Sequence, residues 1–163
     1  MDARNDFGLK LTLPSDREIA MTRAFNAPRA MVFDAWTKPE HVVRWYGCDV
    51  MTVPVCEIDL RVGGKWRFVM RGPDGVEHTM QGVYREIVPP GRLVFTEGYV
   101  TEGFASGEAQ VTIHFVEQDG RTTMTSRSVY ASAEERDRHL GMGVEKGAGQ
   151  SMERLAEHLR TMV

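Results

Sequence analysis

The sequence predicts an α+β protein: a curved antiparallel sheet wrapped around one long C-terminal helix, with two short helices after the first strand. Three observations lead there. Over 142–163, Val144, Ala148, Met152, Leu155 and Leu159 recur at three- and four-residue steps, which places them on one helical face. Glu145, Lys146, Glu153, Arg154, Glu157 and Arg160 fall mostly on the other side. From 49 to 130, strand-like segments are separated by Gly63-Gly64, Pro73-Asp74-Gly75, Pro89-Pro90-Gly91 and Asp119-Gly120. Such a sheet has one apolar face, and the terminal helix is the only predicted element long enough to cover it.

The elements follow in order. Phe7, Leu9, Leu11 and Leu13 alternate with Gly8, Lys10 and Thr12, the period of a short leading strand, which Pro14-Ser15-Asp16 breaks. Residues 17–25 form the first full strand. Asn26-Ala27-Pro28 supplies a helix start, with Asn26 as cap and Pro28 near the first turn. Ala30, Val32, Phe33 and Trp36 share a helical spacing that ends near Lys38-Pro39. A second short helix over 40–46 carries Val42, Val43 and Trp45 and stops at Gly47. Strands are predicted at 49–59, 65–71, 77–88, 92–100, 108–117 and 121–130. Residues 131–141 are polar and rich in Glu and Arg, and read as a loop with a helical turn leading into the terminal helix.

Turn chemistry sets the registers. With Asp119-Gly120 as a two-residue loop, Phe115 faces Met124, Ile113 faces Ser126 and Val111 faces Ser128. The Pro73-Asp74-Gly75 hairpin brings Met70 to His78, Phe68 to Met80 and Trp66 to Gly82. The next hairpin brings Gly82 near Glu97 and Tyr84 near Phe95, given a bulge around Glu86-Ile87. One face then carries Trp66, Phe68, Met70, Met80, Tyr84, Leu93, Phe95, Ile113, Phe115 and Met124. The other carries Lys65, Arg67, Arg71, Arg85, Thr112 and His114.

Composition narrows the function. The 163 residues are 42% hydrophobic and 26% charged, values of a globular chain with a core of its own. A formal net charge of −3 without a Lys/Arg stripe argues against a nucleic-acid partner. No apolar run approaches the ~20 residues of a membrane span, and residues 1–6 lack the apolar core of a signal peptide. A cytoplasmic protein is expected. Cys48 and Cys56 sit in one extended stretch, which would hold them roughly 26 Å apart, too far for a disulfide. No histidine stands at zinc-site spacing, and no phosphate loop, dinucleotide fingerprint or Ser/His/Asp arrangement is present. No metal or cofactor is expected.

The candidates for chemistry are few. Glu97 is the acidic residue on the face of Leu93 and Phe95, with Gly82 leaving room beside it and Trp66 as an aromatic wall. Burial there would raise its pKa and make it an acid or an anchor; at a strand end it would reach water instead. Arg23 shares the parity of Met21 and Phe25, and could pair with a buried acid or stay solvated. His78 could shuttle protons, or be exposed beside its turn. Four glycines, Gly141, Gly143, Gly147 and Gly149, mark the start of the last helix, each costing up to ~1 kcal/mol against Ala. A flexible gate and close packing on the sheet both account for them. Met70, Met80, Met124, Met142 and Met152 would line the sheet–helix space as adaptable walls or plain filler.

Local motifs add a resemblance. Phe25-Asn26-Ala27-Pro28-Arg29, Ala35-Trp36-Thr37-Lys38-Pro39-Glu40-His41 and Arg44-Trp45-Tyr46-Gly47 are followed by Gly63-Gly64-Lys65-Trp66-Arg67. Then come Gly82-Val83-Tyr84-Arg85-Glu86-Ile87-Val88-Pro89-Pro90-Gly91-Arg92-Leu93-Val94-Phe95-Thr96 and a glycine-bearing final helix ending Glu153-Arg154-Leu155. Across about 15–163 the chain resembles the heat-shock-protein-90 ATPase activator-like (AHSA-like) family of the START-like, or SRPBCC, superfamily. The resemblance implies the helix-grip fold, with residues 1–16 as an extension carrying the short strand and 17–163 as a single START-like domain. It also implies a cavity between sheet and terminal helix for an apolar small molecule. Some relatives are aromatases or cyclases acting on polyketides, and others only bind or sequester. The family's eukaryotic co-chaperone carries a separate N-terminal domain that does much of the chaperone binding. With about sixteen residues before the fold begins, a chaperone partner is not expected here.

Three functions stay open. The first is binding of a small hydrophobic or aromatic molecule over a floor of Trp66, Phe68, Met70, Met80, Tyr84, Phe95 and Glu97. Val144, Ala148 and Met152 would form the roof, and Trp36, Trp45 and Tyr46 would close one end. The second is an interaction module, a homodimer or chaperone-associated protein, without a usable cavity. The third is a cyclase, aromatase or hydrolase using Glu97 with His78 or Tyr84.

Overall fold

The computed structural model describes residues 8–47 and 50–162. Phe7 and Cys48, invoked above for the leading strand and the cysteine spacing, lie outside the described residues.

In chain order the elements are β1 (Lys10–Thr12), β2 (Glu18–Phe25), α1 (Arg29–Thr37), α2 (Pro39–Trp45), β3 (Thr52–Ile58), β4 (Lys65–Arg71) and β5 (Glu77–Val88). Then follow β6 (Arg92–Thr101), β7 (Phe104–Ala105), β8 (Ala109–Gln118), β9 (Arg121–Val129), α3 (Ala133–Gly141) and α4 (Val144–Thr161). The strands form one antiparallel sheet in the order β1-β2-β9-β8-β6-β5-β4-β3, with β7 beside β6. β1 and β3 are its two edges. This is the α+β helix-grip arrangement: an open sheet curved around α4.

The hairpin registers match the turn chemistry. Phe115 pairs with Met124, Ile113 with Ser126 and Val111 with Ser128. Met70 pairs with His78, Phe68 with Met80, Trp66 with Gly82 and Tyr84 with Phe95. Asp119 and Gly120 both have positive φ, 53° and 76°, as their two-residue loop demands. The expected bulge exists between Tyr84 and Glu86, slightly earlier than placed from sequence.

Two readings need correction. Asn26 does not cap α1: Pro28 occupies the cap position, and no side chain of the segment bonds the helix start. The Arg29 backbone N–H instead donates to Glu117 Oε1 at 2.8 Å, a carboxylate from β8 placed where the helix dipole favours negative charge. Residues 131–141 are not a loop with one turn but contain the full helix α3. Ser132 caps it, accepting from the Glu135 N–H at 3.1 Å. The Ser-x-x-Glu signature of this cap stands in the sequence, but the segment has no apolar stripe to announce a helix.

The core fills the space between the concave face of the sheet and α1, α2 and α4. Phe25, Val32, Phe33, Val42, Trp45, Leu93, Ile113, Phe115, Met124, Met152, Leu155 and Leu159 belong to one buried cluster. Thr122 lies within the same interior and donates its hydroxyl to the Ala27 carbonyl at 2.7 Å. A smaller cluster of Ile19, Ala109 and Tyr130 packs against Leu140 and Val144 at the α3–α4 junction. No helix among the described residues is long and apolar enough to cross a membrane.

Candidate functional site

A chain of aromatic rings runs across the interior from α1 to β5. Trp36 packs on Trp45 at 4.8 Å between centroids, Trp45 on Tyr46 at 5.7 Å, and Tyr46 edge-on to Phe68 at 4.9 Å. Trp66 contacts Phe68 at 4.9 Å and Phe95 at 5.5 Å, and Phe95 meets Tyr84 at 6.2 Å. Between these rings lies a cavity lined by Trp36, Tyr46, Trp66, Phe68, Tyr84, Leu93, Phe95 and Glu97. It is partly open, and its volume is about 20 Å³, room for roughly one water.

The floor is set by strand alternation and by one glycine. Trp66 and Phe68 on β4, Tyr84 on β5, and Leu93, Phe95 and Glu97 on β6 all point to the concave side. At Gly82 a Cβ would stand 1.7 Å from the Thr96 carbonyl oxygen and 2.9 Å from Trp66 Nε1. The missing side chain lets the Trp66 indole cross Gly82 and donate to that same carbonyl at 3.2 Å. The ring is thereby fixed as a wall.

The opposite wall is held from α4 without α4 lining the cavity. Ser151 Oγ accepts from the Gly47 N–H at 3.2 Å and donates to the Gly47 carbonyl at 2.9 Å. Arg154 Nη1 adds a bond to that carbonyl at 3.3 Å. These contacts fix the turn after α2 and so position Tyr46. Gly47 has φ 94° and a Cβ there would press Met70 Sδ at 3.2 Å, so the turn needs glycine twice over.

Glu97 is the electrostatic centre of the site. Burial alone raises its carboxyl from the ordinary 4.5 to about 7. Among the described residues its carboxylate has no hydrogen-bond or ion-pair partner, and no Lys, Arg or His lines the cavity. The hydroxyls of Tyr46 and Tyr84 are likewise without a bond. Burial, then the Glu97 charge, then Cys56 hold the Tyr46 phenol well above its usual range. Burial and then Cys56 do the same for Tyr84. The Cys56 thiol itself is pushed up to about 11, by burial first and Glu57 second. Tyr130 also senses Glu97, which places the carboxyl between the cavity and the cluster under the α3–α4 junction.

Of the residues singled out from sequence, Trp36, Tyr46, Trp66, Phe68, Tyr84, Phe95 and Glu97 come together around this cavity, joined by Leu93. Trp45 lies fully buried behind Trp36, its indole donating to the Ala35 carbonyl at 3.0 Å. Met80 and Ala148 pack half-buried against the main core and Met152 is buried within it. Met70 is half-buried under Gly47, and Val144 sits on the Tyr130 cluster. None of these six lines the cavity; the roof is Trp36 and Tyr46, not α4. Met142, expected in the sheet–helix space, is 50% exposed.

The remaining polar candidates resolve as follows. Arg23 Nη2 donates to Glu153 Oε2 at 3.3 Å, tying β2 to α4, while its Nε is buried without a partner. His78 is half-buried and its Nδ1 lies 2.6 Å from the Tyr99 hydroxyl. It pairs with Thr101 across the strands, four residues or ~13 Å along β6 from Glu97. Only Tyr84 of the two proposed partners shares the cavity with Glu97. The close-packing account of the helix glycines fails for three of them, because a Cβ at Gly141, Gly143 or Gly147 would meet nothing within 4 Å. Gly143 is required for another reason, its φ of 84°. Sequence reading missed one contact altogether: His41 Nδ1 lies 3.0 Å from His158 Nε2, joining α2 to α4. Residues so distant in the chain carry no local signal for it.

Comparison with known proteins agrees with this architecture. No curated protein matches the chain. Among solved structures, a Rhodobacter sphaeroides protein superposes with a TM-score of 0.86 at 24% identity, covering 95% of this chain and 99% of its own. Proteins from Mycobacterium smegmatis and Arthrobacter aurescens, each 25% identical, give TM-scores of 0.80 and 0.83. Their alignments cover 91% and 93% of this chain, and 96% and 91% of theirs. The family described as Activator of Hsp90 ATPase homolog 1-like protein matches residues 26–160, which include every residue that lines the cavity. The chain belongs to that family.

Proposed function

We propose that the protein binds a small hydrophobic or aromatic molecule between the sheet and its helices. Trp36, Tyr46, Trp66, Phe68, Tyr84, Leu93 and Phe95 would provide apolar walls, and Glu97 would orient one polar group. The observation that supports this most is the Glu97 carboxyl, which opens on an aromatic cavity with nothing among the described residues to pair with it. An unpaired buried carboxyl costs stability, and packing alone gives no return for it.

The volume of about 20 Å³ is far below the ~300 Å³ of an ordinary ligand pocket, so a guest must enlarge it. We place that opening at the α3–α4 junction, where Gly141, Gly143 and Gly147 fall within seven residues and Val144 and Ala148 are only half-buried.

Titration with a panel of aromatic polyketides and lipids, followed by tryptophan fluorescence, tests this reading. Trp36 and Trp66 line the cavity, so saturable quenching is expected, and it should weaken when Leu93→Trp fills the space. A flat response to every member overturns it. The small volume favours a second reading, an interaction module such as a homodimer. Val50, Leu60 and Val62 are exposed near the ends of β3, an edge strand with unpaired backbone groups. A concentration-dependent dimer together with the flat response would establish that alternative.

A further inference from the structure

The cavity lining carries one carboxyl, two phenol hydroxyls and the Trp36 indole N–H, which is buried without a partner. The Glu97 carboxyl and the Tyr46 and Tyr84 hydroxyls offer acceptor oxygens, and none of the three is bonded within the described protein. Around them stand only π faces and Leu93. Among the described residues no cation lines the space, so an anionic guest would meet a carboxylate with no neutralising group. A neutral apolar guest would leave all three oxygens unsatisfied.

One ligand chemistry suits the carboxyl, the phenol oxygens and the ring faces together. An alkylammonium head has three N–H donors and a positive charge. It would give Glu97 its missing ion pair, place N–H groups against the phenol oxygens, and lie over the faces of Trp66, Tyr46 and Phe95. The existing volume of about 20 Å³ suits such a water-sized head. The hydrocarbon body attached to it would take the space that opens toward the α3–α4 junction.

We propose that the Glu97 end of the cavity is a subsite for the protonated amine of a small aromatic or alkyl amine. The inference rests on the binding function proposed above, whose polar group it identifies. The titratable groups facing Glu97 are Tyr46 after α2 and Tyr130 after β9, with Tyr84 on β5 and Cys56 on β3 beside Tyr46. Burial holds all four in their neutral forms up to pH 8.5, so Glu97 alone changes charge there.

The test compares 2-phenylethylamine with 2-phenylethanol and phenylacetate, by fluorescence and calorimetry at pH 6 and 8.5. The expected result at pH 8.5 is amine binding at least about tenfold tighter than the alcohol, with the acid weakest. The preference should shrink at pH 6, where Glu97 takes up its proton. Glu97→Gln, with Glu97→Leu as a second variant, should bring the amine down to the level of the alcohol. Equal or tighter binding of the alcohol at pH 8.5, or a preference that survives in both variants, overturns the amine subsite and leaves the cavity reading standing. No binding of any of the three overturns both.

Discussion

The two ends of the C-terminal helix meet different clusters. From its middle onward, Met152, Leu155 and Leu159 are buried in the same cluster as Phe25, Phe33, Ile113, Phe115 and Met124. Phe33 and Phe115 meet edge-on there at 5.9 Å. At its start Val144 is half-buried on the smaller cluster of Ile19, Ala109 and Tyr130, and Gly147 has open space beside it, whereas Ala148 already packs on the main core. One end of the sheet–helix space is packed as a core and carries stability. The other end rests on the small cluster of Ile19, Ala109 and Tyr130, and Ala109 pairs across the strands with Glu97, whose carboxyl has no partner among the described residues. The contrast locates the site better than the cavity volume does.

The largest expected effect tests the packed end. Leu155→Ala should destabilise the protein by about 4 kcal/mol in urea denaturation, whereas Val144→Ala should cost about 1 kcal/mol or less. Equal losses at both positions would erase the distinction.

Glu97 gives the next effect. A carboxyl raised from 4.5 to about 7 in the folded state binds its proton more tightly there than in the unfolded chain. Its stabilising contribution is therefore full below pH 4.5 and is lost as pH rises toward 7, a loss of about 3 kcal/mol. Glu97→Gln should be more stable than the parent at pH 8 by that order and gain nothing at pH 4. A stability profile parallel to the parent's would mean that the carboxyl reaches water.

Gly147→Ala should then stabilise the protein by about 1 kcal/mol, because helix propensity improves and the new methyl meets nothing. The same change should slow ligand association measured by stopped-flow if that helix turn must open. Unchanged rates would place the opening elsewhere.

The smallest effect concerns the His41–His158 contact. Burial, then His41, then Arg44 hold His158 below its usual 6.5. Its contribution to stability is present above pH 6.5 and is lost as pH falls through the lowered value. His158→Gln should flatten that acid-side decline in thermal melts while leaving the Glu97 profile untouched.

Much of the scaffold was legible in the residues. Strand alternation, the Asp119-Gly120 turn and the stripe from Val144 to Leu159 depend on near neighbours, and the pairings they imply are those observed. Seven cavity residues could be named, most because they share the parity of one face, and Trp36 and Tyr46 because they lie in and after the two short helices. The helix α3 escaped because its cap signature was present without an apolar stripe. The true partner of the α1 start escaped because Glu117 comes from a distant strand.

What the amino-acid order determined alone was therefore the set of elements, their registers and the face each residue takes, since periodicity and turn conformation act over a few residues. Only the tertiary structure decided that Trp36 and Tyr46 rather than α4 roof the cavity. It alone decided that Ser151 and Arg154 hold Tyr46 in place, and that nothing in the described protein neutralises Glu97. Those outcomes depend on how far side chains from separate segments reach into a shared space, and no local pattern encodes that reach.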